Sequence, residues 1–176
     1  THKVEVMVEL AERLREEQDI LFQIIGRGPR KPVLEKLVRE KQLPNCVFLP
    51  FQSDAMFPFS LSAADLGVVV LDELTSKGSV PSKSYNLMSY GIPSLYIASA
   101  DSQLQVYADR FGNARCFSEA ELENAAQFIL MLKNDGELQH KLSQNALKAA
   151  RHFKRDNADK FVALYLGEPI DESVEA

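Results

Sequence analysis

The chain has 176 residues, enough for one domain or for half of a two-domain protein. Hydrophobic residues make up 45% and charged residues 26%, an ordinary globular balance. The net charge of −5 argues against a general nucleic-acid binder, since such domains are usually basic. No apolar run approaches the length of a membrane span, and the N-terminus lacks a signal-peptide pattern.

The first predicted element is an amphipathic helix over 4–17, because Val4, Met7, Val8, Ala11 and Leu14 recur at helical spacing. "ILFQIIG" (20–26) is a short apolar run rich in β-branched residues and closed by glycine, which predicts a buried strand. A helix over 29–42 follows, with Val33, Leu34, Leu37 and Val38 on one side and Pro29 and Pro32 near its start, where missing amide protons cost little. "CVFLP" (46–50) is a second strand, 56–64 a weak helix interrupted by Pro58, and "LGVVVL" (66–71) a third strand.

The stretch "GSVPSKSYNLMSYGIPS" (78–94) reads as a polar loop and two turns of helix, with Ser82 as cap, Gly91 as stop and Pro93 opening the next strand. Strands at 93–98 and 114–118 complete five. Helices at 119–133, opened by a capping box of Ser118 and Glu121, then at 136–152 and 155–166, close the chain. Domain boundaries are expected at 1–167, with 168–176 a flexible tail.

Short, wholly apolar strands alternating with helices define an α/β class: a Rossmann-like, doubly wound parallel sheet of about five strands with C-terminal helices. The chain opens on a helix where such folds open on a strand, so the first strand of the usual fold is expected to lie outside it. Cys46 and Cys116 are read as buried, reduced thiols of a cytoplasmic protein. His2, His140 and His152 have neither metal-ligand spacing nor a carboxylate cluster, so no metal is expected.

Ligands of doubly wound sheets bind beyond the carboxyl ends of the strands. Four loops follow from that rule. In "IIGRGPRKP" (24–32), Gly26 and Gly28 permit close backbone approach, while Arg27, Arg30 and Lys31 sit at a helix N-terminus that itself favours anions. Either an anion sits among them, or the loop is a glycine turn with solvated charges. Phe51, at the mouth of the second strand, either stacks on a flat ring or edges the core. Asp72, Glu73 and Lys77 after the third strand allow acid–base work, with a solvated loop as the plainer account. In the fourth loop, amides of 79–83 and the Lys83 ammonium suit a phosphate, and Asn86, on the same helix face as Lys83, can pair with hydroxyls.

The blocks "IIGRGP", "VFLPF", "LSAADLGVVVL" and "VPSKSYNLMSYGIPSLYIA", in that order, resemble the C-terminal domain of group 1 glycosyltransferases, the retaining GT-B enzymes also called family 4. The resemblance covers about residues 1–166 and implies a nucleotide-sugar donor held by this half and an acceptor-binding N-terminal half elsewhere. It implies Lys3, Gly26, Arg27, Gly28, Ser79, Val80, Ser82 and Lys83 around the diphosphate and sugar, and Asn86 and Phe51 around ribose and base. No cofactor or metal is implied, and membrane association would run only through the N-terminal half. The wording is closest to transferases of bacterial polysaccharide synthesis. One departure stands out: the family's paired glutamates, with seven residues between them, fall on Gly78 and Asn86 here. No catalytic residue is therefore assigned. Rival readings are a sugar-nucleotide epimerase or hydrolase of the same fold and a non-catalytic binding module. A nicotinamide-binding domain is disfavoured because "GRGPRK" lacks the third glycine of G-x-G-x-x-G.

Overall fold

The structure, a computed structural model, describes residues 4–72, 80–153 and 165–166. Lys3, Glu73, Lys77, Gly78, Ser79, most of the expected helix at 155–166 and the tail lie outside these residues. Helix α1 (Val6–Arg13) is followed by β1 (Phe22–Ile25), α2 (Lys31–Glu40), β2 (Cys46–Leu49), α3 (Phe57–Ser62) and β3 (Gly67–Val70). Then come α4 (Ser82–Ser89), β4 (Ser94–Ile97), α5 (Gln103–Phe111), β5 (Ala114–Phe117), a 3-10 turn (Glu119–Glu121), α6 (Leu122–Asn134) and α7 (Gly136–Ala150). All five strands fall inside their expected spans. The Ser118–Glu121 capping box is present, but it opens the 3-10 turn ahead of α6 rather than the helix itself.

Three expectations need correction. Helix α5 was not foreseen. Its apolar face is thin, with only Leu104 and Ala108 buried, and its ends carry the signal instead: Ser102 Oγ accepts the Gln105 amide at 3.2 Å, and Gly112 closes the helix at φ 61°. Val33 does not join the buried side of α2; it is 44% exposed, and Leu34 and Val38 supply the buried contact. Ser82 does not cap α4. Pro81, with an extended backbone, holds the cap position, and Ser84 Oγ donates to the Pro81 carbonyl at 2.7 Å.

The strands are parallel throughout, in two hydrogen-bonded pieces: β1 with β2, and β3–β4–β5 with β4 in the middle. Side chains alternate between two faces. Phe22, Val70, Leu95 and Ile97 meet α1, α2, α6 and Leu142 of α7 in one cluster. Val69, Leu71 and Tyr96 meet α4 and α5 in a second. Both pieces of sheet feed the first cluster, which makes them parts of one layered domain with helices on both faces.

Local contacts fix the layers. Asn45, buried ahead of β2, donates its amide to the Ala11 and Leu14 carbonyls at 2.9 and 3.1 Å, satisfying orphan groups at the end of α1. Lys41 reaches Glu12 at 2.7 Å and ties α2 to α1. Gly91 adopts φ 66° to end α4, as expected, and β4 starts at Ser94, one residue after Pro93.

Candidate functional site

The site is built first from the mouth of β1 and β2. Gly26 leaves β1 at φ 142°, a conformation that favours glycine, and its amide reaches the Leu49 carbonyl at 3.4 Å. A Cβ at Gly26 or Gly28 would meet nothing within 4 Å. Space over this turn is open, so a ligand can approach the backbone.

The three cations of the loop have separate jobs. Lys31, in the first turn of α2, folds its ammonium back onto the Leu49 and Gly26 carbonyls at 3.2 and 3.4 Å and so laces the ends of β1 and β2 together. Arg30 pairs with Glu5 at 3.2 Å. The expectation of three cations gathered for an anion is thus reduced: the acid on the neighbouring helix takes one, and strand-end carbonyls take another. Arg27 remains. It is exposed and lies over the Phe51 ring, 4.8 Å from guanidinium carbon to centroid.

Phe51 is 61% exposed, so its ring is an open aromatic face and not a core edge. The adjoining groove has a volume of about 140 Å³ and is lined by Gly26, Arg27, Gly28, Arg30 and Lys31 over Ile24, Ile25 and Leu34. Closed small-molecule sites run to roughly 300–1,000 Å³, so this groove accommodates part of a ligand, with the rest left open.

The second group lies at the mouth of β3. Asp72 directly follows that strand and is only 7% exposed, so the expectation of a solvated loop fails for it. A buried carboxylate at a strand's carboxyl end was not foreseen, since nothing in the local sequence separates it from neighbouring Glu73. Across the undescribed segment, Val80 packs its side chain against the α4–α5 cluster. Ser82 and Lys83 are exposed in the first turn of α4, and Asn86, one turn on, is half-buried. Tyr85, on the helix's other side, turns inward to Tyr107 and Phe153.

A larger cavity of about 350 Å³ lies elsewhere, against Asp65, Tyr90, Pro93, Gln139 and His140. It sits where β3 and β4 begin, which is the wrong end for ligand binding in this architecture. Among the described residues no group of three or more His, Cys, Asp or Glu side chains could hold a metal, and no helix is long and apolar enough to cross a membrane. Cys46 and Cys116 are free thiols, both half-buried; burial raises each, and Cys116 is pushed up to about 11.

The fold is an α/β domain of parallel strands with helices on both faces and an open groove at the strand mouths. More particularly, the chain belongs to the glycosyl transferases group 1 family, whose model matches residues 1–149. It is 32% identical over 137 residues to a protein of Escherichia coli (strain K12) described as "Putative colanic acid biosynthesis glycosyl transferase WcaI", covering 75% of this chain and 33% of that one. The chain therefore spans about a third of that relative's length.

Two solved structures share the fold. A mutant of S. aureus TarM, crystallised with fondaparinux, alpha-GlcNAc-glycerol and UDP, superposes with a TM-score of 0.78 at 17% identity, over 94% of this chain and 33% of that one. The C-terminal domain of LpcC, a glycosyl transferase group 1 family protein from Francisella tularensis, gives 0.70 at 21% identity, over 88% of this chain and 81% of that one. The expected resemblance and the Rossmann-like fold both hold.

Proposed function

We propose that this chain is the donor-binding half of a retaining glycosyltransferase. It would take a UDP- or GDP-linked hexose or N-acetylhexosamine and pass the sugar to a glycan or lipid-linked acceptor held by an N-terminal half. The observation that carries the reading is Arg27 over the open Phe51 ring beside the Gly26–Gly28 turn. A nucleoside diphosphate needs a cation, close approach to the backbone and a flat apolar surface, and Arg27, the open Gly26–Gly28 turn and the neighbouring Phe51 ring would offer these. The relative from E. coli supports a role in bacterial polysaccharide synthesis, with the work done in the cytoplasm where nucleotide sugars are made.

In the proposed reaction the bond from the anomeric carbon to the diphosphate breaks, and a bond to an acceptor hydroxyl forms on the same face. The diphosphate departs with its bonding electrons, and its leaving oxygen takes the proton that the hydroxyl gives up. Arg27, Lys83, Lys3 and amides around Gly28, Ser79 and Val80 would stabilise the charge that builds on the leaving oxygen. Ser82 would add a hydroxyl donor. Asn86 would pair with ribose hydroxyls and Phe51 would face the base. If these protein cations supply the charge, the reaction needs no metal.

Gly78 and Asn86, standing where the family has glutamates, favour a second reading: a module that binds nucleotide sugars without transferring them. The test is saturation-transfer NMR with UDP, GDP, dTDP, CMP and NAD in turn, followed by the sugar conjugate of whichever binds. Binding with sugar release to an acceptor in the full-length protein supports the transferase. Binding without release supports the module. Preference for NAD, or binding unchanged by Arg27→Ala, overturns both.

A further inference from the structure

We propose that the cavity of about 350 Å³ at the start of β3 and β4 is a second binding site, which takes one pyranose unit of a neutral glycan. The site holds a sugar whether or not a nucleotide binds at the strand mouths. Its use, keeping a growing chain close to the enzyme that extends it, rests on the transferase reading.

Two helices and a turn build the walls. Gly136, Gln139, His140 and Ser143 lie three or four positions apart at the start of α7 and so share a face. Tyr90 at the end of α4 and Asp65 in the turn ahead of β3 complete the polar lining. Gly91 sets the spacing: a Cβ there would stand 3.0 Å from Leu147 Cγ and 3.2 Å from Ser143 Oγ, so the end of α4 lies directly on α7. Asn145 ties α7 to the Gly112 carbonyl at 3.0 Å. Gly136 keeps space open, since a Cβ on it would meet nothing within 4 Å. The walls are thus fixed by packing that needs no ligand, and the volume falls in the range of roughly 300–1,000 Å³ common to small-molecule sites.

The groups present select the ligand. No lysine or arginine is among the described lining residues, and Asp65 repels a phosphate. The start of α7 offers an anion little, because the Asp135 carboxylate already accepts the Leu138 amide at 2.9 Å. Among the described residues no group of three or more His, Cys, Asp or Glu side chains could hold a metal ion. A purely apolar ligand would strip water from Asp65, Gln139 and His140 without replacing it. What fits is neutral and rich in hydroxyls.

Neighbouring sugar hydroxyls both donate and accept. Asp65 accepts, the Gln139 amide does both, and the two stand side by side, with Gln139 Nε2 donating to Asp65 Oδ1 at 3.3 Å. That bond is longer than the usual range of roughly 2.7–3.2 Å, so a hydroxyl can take either partner's place. Tyr90 is 40% exposed and offers a flat face to the C–H side of a ring. Asp65, Tyr90 and His140 all reach solvent, which leaves room for the ring to continue as a chain. Position and chemistry agree: this end of the sheet is wrong for the ligand of the strand mouths, and the cation which that ligand needs, Arg27, lies at the other end.

The test is an ¹⁵N-resolved NMR titration of the full-length protein with the methyl glycosides of glucose, galactose and N-acetylglucosamine, with maltotriose, and with inorganic phosphate as control. At least one sugar should shift the amides of Asp65, Tyr90 and Gln139 saturably and leave Gly26 and Gly28 unmoved. Tyr90→Ala should weaken that binding about tenfold, and Tyr90→Phe should keep most of it. Gly136→Phe, which fills the open space, should abolish it. Both positions are exposed, so these variants should melt where the parent does. Three results overturn the proposal: no saturable response to any sugar, phosphate shifting the same residues, or undiminished binding in both Tyr90→Ala and Gly136→Phe. Failure of the donor site would show separately, at Arg27 and Phe51 in titrations with nucleotide.

Discussion

Gly67 opens β3 where α4 crosses it, and the closeness of that crossing determines where Lys83 and Asn86 are carried. A methyl group at Gly67 would overlap both terminal carbons of Leu87 and stand 2.9 Å from its Cγ. Leu87 is 6% exposed, so it has no solvent to retreat into. Overpacking of this kind costs roughly 1–3 kcal/mol, and Gly→Ala restricts the unfolded chain by about 0.4–1 kcal/mol in the other direction. Gly67→Ala should therefore destabilise by about 1–2 kcal/mol, a fall in Tm of about 2–8 °C for a domain of this size. Urea denaturation followed by circular dichroism should show a lower midpoint at unchanged slope. The decisive arm is the background Leu87→Ala, in which the clash is gone and Gly67→Ala should cost less than ~0.5 kcal/mol. An equal cost in both backgrounds, or stabilisation by Gly67→Ala alone, would refute the contact as the cause. Amide shifts at Lys83 and Asn86 in Gly67→Ala would show the lifted helix directly.

Other outcomes follow from the same geometry. Lys83→Ala should weaken binding of a nucleoside diphosphate far more than that of the nucleoside, while Phe51→Ala should weaken both; calorimetric titration separates them, and equal loss for Lys83→Ala would make that lysine structural. Gly91→Ala places a side chain at φ 66° and against Leu147 and Ser143, and should cost about 1–2 kcal/mol in the same urea assay. Burial pushes Cys116 up from 9.0 to about 11 and, with the Tyr85 hydroxyl beside it, Tyr107 up from 10.0 to about 12. Both groups are held protonated by folding, so their contribution is complete below pH 9 and is lost as pH rises towards 11 and 12. Melting temperature should fall over that window, and Tyr107→Phe with Cys116→Ala should flatten the fall.

Periodicity exposed the strands because each is a short, mainly apolar run bounded by polar or turn residues, and such runs need no partner to be recognised. The stripe Val4, Met7, Val8, Ala11 and Leu14 marked α1, while Val6 and Leu10, buried as well, escaped it because α1 is enclosed on more than one side. Helix α5 was missed since its evidence sits in Ser102 and Gly112 rather than in its stripe. The site was partly visible: glycines, Arg27 and Phe51 announced themselves by type and position. The pairing of Arg30 with Glu5 and the lacing of Lys31 onto Leu49 depend on contacts across elements, which spacing along the chain does not encode. The same holds for Asp72, whose burial comes from the surrounding layers, and for the divided sheet, whose gap appears only once strands are placed side by side.

The central claim is that a nucleoside diphosphate binds at the mouth of β1 and β2. An ¹⁵N-resolved NMR titration of the full-length protein with UDP and then GDP tests it most directly. The account predicts saturable shifts confined to Gly26, Arg27, Gly28 and Phe51, with Lys83 and Asn86 joining them, and their loss in Arg27→Ala. Shifts centred on Tyr90, Gln139 and His140 at the far end of the sheet, or none at millimolar nucleotide, would contradict it.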